Sequence, residues 1–170
     1  MSASVDRHIV LVGMMGSGKT TVGRVLAARL KRDLLDTDTL IEQREGRSVR
    51  DIFASDGEDA FRSIETQVLT DALGRTEGAV IATGGGIVLR PENCTSLRSS
   101  GARVVWLRAD PAVLVERVKG GVHRPLLDAD PELTLRQMHE QREALYREVA
   151  DLIIAVDGRS VTDVVEAVLR

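Results

Sequence analysis

Gly13, Gly18, Lys19 and Thr20 stand at the spacing G-x-x-x-x-G-K-[ST] within the stretch VGMMGSGKTT, residues 12–21. That spacing suits the capture of a phosphate chain. Glycines allow the backbone to turn so that several N–H groups face one point, and the N-terminus of a following helix adds a potential that favours anions. A lysine at this position reaches the terminal phosphates, and the neighbouring hydroxyl enters the shell of a magnesium ion. The stretch predicts a nucleotide site built from Gly13, Gly16, Ser17, Gly18, Lys19, Thr20 and Thr21, with Mg2+ as the cofactor.

A phosphate donor needs an acceptor, and three further segments carry suitable chemistry. Asp36 and Asp38 in LLDTDT end the second apolar run. Open α/β sheets gather ligands at the carboxyl ends of their strands, so the two acids suit a magnesium shell and an acceptor hydroxyl respectively. A local reading competes: Asp38 caps the next helix, and Thr39 with Glu42 forms a capping box. ATGGGIV ends another run in Gly84, Gly85 and Gly86, a backbone open to close approach by a ligand. A helix over about 133–149 places Leu135, Met138, Leu145 and Val149 on one face, and Arg142 falls in that stripe. A guanidinium turned toward the protein body must find an anion there or line a cleft. Arg62 lies beside Phe61 and Ile64, with Glu58 four residues before and Glu65 three after, so a surface ion pair is the competing reading. Two such arginines can grip one carboxylate through bidentate bonds. His8, His123 and His139 have no metal-ligand spacing and suit surface or packing roles.

The elements that must position these groups follow from the apolar pattern. Runs at 8–13, 33–38, 79–86, 103–109 and 151–156 are continuous and rich in β-branched residues, as in strands buried on both faces of a parallel sheet. Helical patterns alternate with them, starting at 20–30 and ending with Val161, Val164, Val165, Val168 and Leu169 on one stripe. This is an α/β sheet with right-handed crossovers. Two regions interrupt the alternation. Residues 39–73 hold up to three helical stretches, and KGGVHRPLLDADP at 119–131 reads as an exposed loop in which Gly120 and Gly121 flank Arg124 and Pro125 on the N-terminal side. Such insertions commonly carry binding and lid functions. No repeat or linker divides the chain, so one domain over 1–170 is expected.

Composition excludes several classes. Aromatic residues make up only 2% of the 170 residues, namely Phe53, Phe61, Trp106 and Tyr146, too few for a base-stacking platform. The net charge of −3 also speaks against a nucleic-acid partner. Cys94 is the only cysteine, which rules out an internal disulfide and a cysteine zinc cluster. No apolar run reaches membrane-spanning length and no signal-like leader is visible, so a cytoplasmic enzyme without a membrane partner is expected.

Taken in order, GMMGSGKTTVGRVLA, LLDTDTLIE, IFASDGEDAFRSIE, ATGGGIV, HRPLL and REALYREVAD resemble the shikimate kinases over nearly the whole chain. The resemblance implies a three-layer P-loop kinase fold with a five-stranded parallel sheet of order 2-3-1-4-5. It implies a helical acceptor-binding region at about 37–73, a lid at about 119–131 and a monomer. The implied reaction moves the γ-phosphoryl of ATP to the 3-hydroxyl of shikimate, in aromatic amino-acid biosynthesis. By motif, Lys19, Asp38 and Arg124 would be catalytic, with Asp38 on the acceptor hydroxyls and Arg124 swinging from the lid onto the phosphates. Thr20 and, through water, Asp36 would serve magnesium, and Arg117 would lie by the adenine. Arg62 and Arg142 would hold the shikimate carboxylate, Gly84, Gly85 and Gly86 would close around the ring, and Phe53 and Phe61 would wall it. Glu65 would orient Arg62. The rivals at this level are a kinase for another hydroxy acid such as gluconate, and a nucleotide-binding regulatory domain without catalysis.

Overall fold

The run Ile9–Val12 forms strand β1, and all four of its side chains are buried. The reason is its place at the centre of a sheet whose other strands are β2 (Leu34–Asp36), β3 (Val80–Ala82), β4 (Arg103–Arg108) and β5 (Leu152–Ala155). A computed structural model provides this architecture and describes residues 7–119 and 130–170. The strand order is β2-β3-β1-β4-β5, and every pairing is parallel. β5 is an edge strand, and its pattern accordingly alternates, with Ile153 exposed and Ile154 buried.

Helix α1 (Lys19–Leu30) leads from β1 to β2, while α5 (Pro91–Ser99) leads from β3 to β4. These two crossovers run in opposite directions along the sheet. Right-handed connections in opposite directions place their helices on opposite faces. α1 packs with the C-terminal helix α8 (Val161–Leu169), and α5 packs with α7 (Pro131–Val149), whose neighbour is α6 (Pro111–Lys119). The divergence leaves a crevice between the carboxyl ends of β1 and β3, where ligands collect in sheets of this kind. Register brings the relevant ends level: Asp36 pairs with Ala82, and Ala82 with Leu11. The phosphate-loop motif, the two aspartates and the glycine triplet therefore emerge side by side.

Between β2 and β3 the three expected helical stretches are α2 (Thr37–Glu45), α3 (Val49–Asp56) and α4 (Glu58–Leu73). They turn sharply at Gly46 and Gly57 and enclose a separate small core of Ile41, Ile52, Phe61 and Val68. At about 1.5–3 kcal/mol per buried side chain, this core holds the three helices together independently of the main one.

The cap of α2 corrects the local reading of LLDTDT. Asp36, not Asp38, is the N-cap, accepting the Thr39 N–H at 3.2 Å. Glu42 closes no box with Thr39; it accepts the Val49 N–H at 3.3 Å and ties α2 to the start of α3. The expected 119–131 loop is shorter at both ends, because Lys119 closes α6 and Asp130 caps α7 through the Leu133 N–H at 3.1 Å. Its remainder, including Gly120, Gly121, His123, Arg124 and Pro125, lies outside the described residues. His8 has the packing role expected of it: Nδ1 accepts the Ala79 N–H at 3.1 Å, and Nε2 donates to the Arg75 carbonyl at 3.0 Å.

Candidate active site

Gly13 turns the chain out of β1 with φ +144°, and a Cβ there would meet the Leu107 carbonyl oxygen at 2.6 Å. Both the conformation and the space require glycine. The loop ends at Gly18, the left-handed N-cap of α1, so the first N–H groups of that helix face back into the loop. A cavity of about 440 Å³ opens above it. Gly16, Ser17, Gly18, Lys19, Thr20 and Thr21 line it, and Asp36, Asp38, Gly84, Gly85 and Arg117 share the wall.

Lys19 is buried, and its ammonium donates to the carbonyls of Gly13 at 2.6 Å and Met14 at 2.9 Å. The Thr20 hydroxyl donates to Asp36 Oδ2 at 2.7 Å. A hydroxyl and a carboxylate meeting beside a phosphate loop are hard oxygen donors of the kind magnesium takes, since that ion keeps several waters and accepts few protein ligands. The donor set fits the ion. Arg117 reaches from α6 to the Gly16 carbonyl at 2.9 Å and stands at the rim. Val156, Arg159 and Val161 share that rim and were missed in the sequence. They follow the carboxyl end of β5, a topological signal for a ligand-facing segment.

The side on which the acceptor is expected is built by α4 and α7. On α4 the buried face reads Phe61, Arg62, Glu65, Val68, Leu69 and Ala72, a helical spacing that carries the arginine inward. Arg62 donates to Glu65 Oε1 at 2.9 Å and to Glu58 Oε1 at 3.3 Å, and its guanidinium lies 5.2 Å from the Phe61 ring centre. The competing ion-pair reading is thus correct in its partners and wrong in its setting, since Arg62 is only 7% exposed. Glu65 is fully buried, and that burial pushes its carboxyl above the ordinary range against the pull of Arg62. Phe53 packs on Phe61 with ring centres 4.7 Å apart.

The glycine triplet touches all four charged side chains. A Cβ on Gly84 would lie 2.9 Å from Glu65 Oε2 and 3.1 Å from Asp38 Oδ1. One on Gly85 would lie 3.3 Å from Arg142 Nη1, and one on Gly86 would overlap the Arg62 guanidinium. Arg62, Arg142, Phe53 and Phe61 do not line the phosphate cavity; they stand past the glycine ribbon that borders it. Among the described residues, the buried side-chain atoms without a hydrogen-bond partner are Ser17 Oγ, Arg62 Nε, Glu65 Oε2 and Arg142 Nε. Unsatisfied buried donors are costly, and two guanidinium donors left open beside one ribbon suit an anionic ligand.

The stripe on α7 differs by one residue from the expected one. Tyr146 is fully buried beside Arg142, and Leu145 is only partly covered. The Tyr146 hydroxyl donates to the Gly85 carbonyl. Its position four residues after Arg142 places it within reach of that stripe, but Leu145 at three residues is equally so, and spacing alone does not separate them.

The family model for shikimate kinase matches residues 15–170. A shikimate kinase of Symbiobacterium thermophilum is 49% identical over 166 residues, covering 96% of this chain and 94% of that protein. A shikimate kinase from Acinetobacter baumannii in complex with shikimate superposes with a TM-score of 0.91 at 39% identity, covering 96% of this chain and 90% of that one. A shikimate kinase from Bacteroides thetaiotaomicron superposes with a TM-score of 0.85 at 30% identity, covering 95% and 96% respectively. Sequence and fold agree over nearly the whole length, and the chain belongs to the shikimate kinase family.

Proposed function

We propose that the enzyme transfers the γ-phosphoryl of ATP to the 3-hydroxyl of shikimate, giving shikimate 3-phosphate and ADP on the route to chorismate and the aromatic amino acids. The observation that carries this reading is the pair of buried arginines, each with an unpartnered Nε, beside a glycine ribbon that borders the phosphate cavity. Arg62 and Arg142 grip the acceptor carboxylate, Phe53 and Phe61 wall its ring, and Gly84, Gly85 and Gly86 let it approach the backbone. Asp38 orients the attacking hydroxyl. In a loose, in-line transfer the new O–P bond forms as the bond to the ADP oxygen breaks, and the hydroxyl proton passes late to Asp38.

On the donor side, the N–H groups of residues 13–21 cradle the phosphates. Lys19 exchanges the Gly13 and Met14 carbonyls for phosphate oxygens, and Arg117 lies against the adenine. Thr20 and, through water, Asp36 would hold Mg2+, which when bound offsets phosphate charge. The HRPLL motif assigns Arg124, outside the described residues, to the transferring phosphoryl. Residues 37–73 serve as the acceptor-binding part and the segment between α6 and α7 as the lid of one domain, in a cytoplasmic monomer. Among the described residues, no helix is long and apolar enough to cross a membrane.

A coupled ADP-release assay with shikimate, with gluconate and with no acceptor tests the reaction. Rapid turnover with shikimate alone is expected; equal turnover without an acceptor, or preference for gluconate, would replace this reading with another. The clamp has its own test. Arg142→Ala and Arg62→Ala should weaken shikimate binding by about 30-fold or more, the effect of about 2–5 kcal/mol for truncating one partner of a buried charged pair, with ATP binding nearly unchanged. Arg142→Lys should recover only part, because an ammonium cannot present the planar fork. Titration calorimetry with a shikimate analogue lacking the carboxylate is the control, and full affinity of wild type for that analogue would remove the clamp. Gly86→Ala drives a methyl group into the Arg62 guanidinium and is expected to raise the acceptor KM as far as Arg62→Ala does.

A further inference from the structure

One peptide of the glycine ribbon is held at one end and open at the other. The Tyr146 hydroxyl reaches from α7 and donates to the Gly85 carbonyl. In a trans peptide the following N–H lies opposite that carbonyl, and among the described residues no peptide is cis. The Gly86 N–H therefore points away from Tyr146, and among the described residues no acceptor takes it. The same peptide sits at a junction. The Cβ position of Gly85 is 3.3 Å from Arg142 Nη1, 3.3 Å from the Met15 amide nitrogen and 3.6 Å from the Gly13 carbonyl oxygen. A rotation of this peptide would be felt by the carboxylate clamp and the phosphate loop together.

Tyr146 is placed to prevent that rotation. Its ring is fully buried and packs on Trp106 with ring centres 5.6 Å apart, and the Arg147 and Arg108 guanidiniums lie 5.4 and 5.8 Å from the Trp106 ring centre. Burial pushes the phenol up to about 12, so the hydroxyl stays a donor through the neutral range. The Arg142 guanidinium lies beside the same hydroxyl, one helical turn away.

We propose that Tyr146 is a positioning residue for the acceptor: through the Gly85 carbonyl, its hydroxyl sets the plane of the Gly85–Gly86 peptide so that the Gly86 N–H and the Arg142 guanidinium meet the acceptor in register. The inference rests on the shikimate reading above. A hydroxyl that served the fold alone would affect stability and leave the kinetics of the folded enzyme untouched.

Tyr146→Phe keeps the ring against Trp106 and removes only the donor. In steady-state assays the KM for shikimate should rise about tenfold, on the scale of a buried acceptor that has lost its donor, while the KM for ATP stays within about twofold. Trp106 is the only tryptophan, so its emission reports the packing of the ring pair and should keep its wavelength in this variant. Trp106→Phe is the converse control: it loosens the packing, keeps the hydroxyl, and should lower the melting temperature with little change in either KM. Turnover of shikimate by wild type with an unchanged KM in Tyr146→Phe overturns the inference alone. Absence of shikimate turnover by wild type removes the acceptor reading, and the inference with it. A Tyr146→Phe chain that fails to fold while Trp106→Phe folds assigns the hydroxyl to the fold, and also overturns the proposal.

Discussion

Lys19→Met should yield a folded protein that still binds shikimate and transfers phosphoryl on the order of 10²–10³-fold more slowly, or worse, the scale of removing one preorganised donor from developing charge. Methionine retains the unbranched stem that is buried in the loop, so packing changes little. The Gly13 and Met14 carbonyls lose the ammonium, but Lys19 lines an open cavity from which water can take its place. The cost therefore falls on chemistry rather than folding. Single-turnover phosphoryl transfer beside a thermal melt separates the two. A variant with near-wild-type kcat would mean that the lysine is a structural clasp of the loop and that the phosphates are neutralised by another group.

Asp38→Asn should lower kcat by roughly 10²-fold or more, the usual contribution of a positioned acid–base group. Asparagine preserves the shape in the first turn of α2 and removes only the charge. The helix loses an acid from its N-terminal turn, worth about 0.3–1 kcal/mol, too little to unfold the chain. Asp36 continues to cap that helix, so the backbone around position 38 is not released. The informative quantity is the division between kcat and KM. A raised KM for shikimate with unchanged kcat would make Asp38 a plain binding residue, and the proton would then leave by another route.

The phosphate loop was legible from residues alone because its geometry is local. Eight consecutive positions prescribe the turn at Gly13, the left-handed residue at Gly18 and the helix that opens at Lys19; the Leu107 carbonyl against Gly13 adds a distant reason for a glycine that the spacing already names. The strands were legible for a related reason, since runs such as IVLV, buried on both faces, have no polar alternation to disguise them. Their ends were overestimated where a cap or a glycine interrupts the pairing, as at Asp36 and after Ala82.

The proposed acceptor site depends on chain-distant neighbours and was only partly legible. Spacing named Glu58 and Glu65 as partners of Arg62, but burial of that guanidinium depends on a missing Cβ at Gly86, on a different element. On α7, positions 145 and 146 both fall within helical reach of Arg142, three and four residues on, and the 3.6-residue period does not choose between them. The sheet chooses. Trp106 on β4 and the Gly85 carbonyl after β3 accommodate a tyrosine ring and its hydroxyl, so Tyr146 turns inward and Leu145 remains at the margin. Amphipathic spacing records which face of a helix is covered, whereas the identity of the covering group belongs to the packing of β3, β4 and α7 against one another.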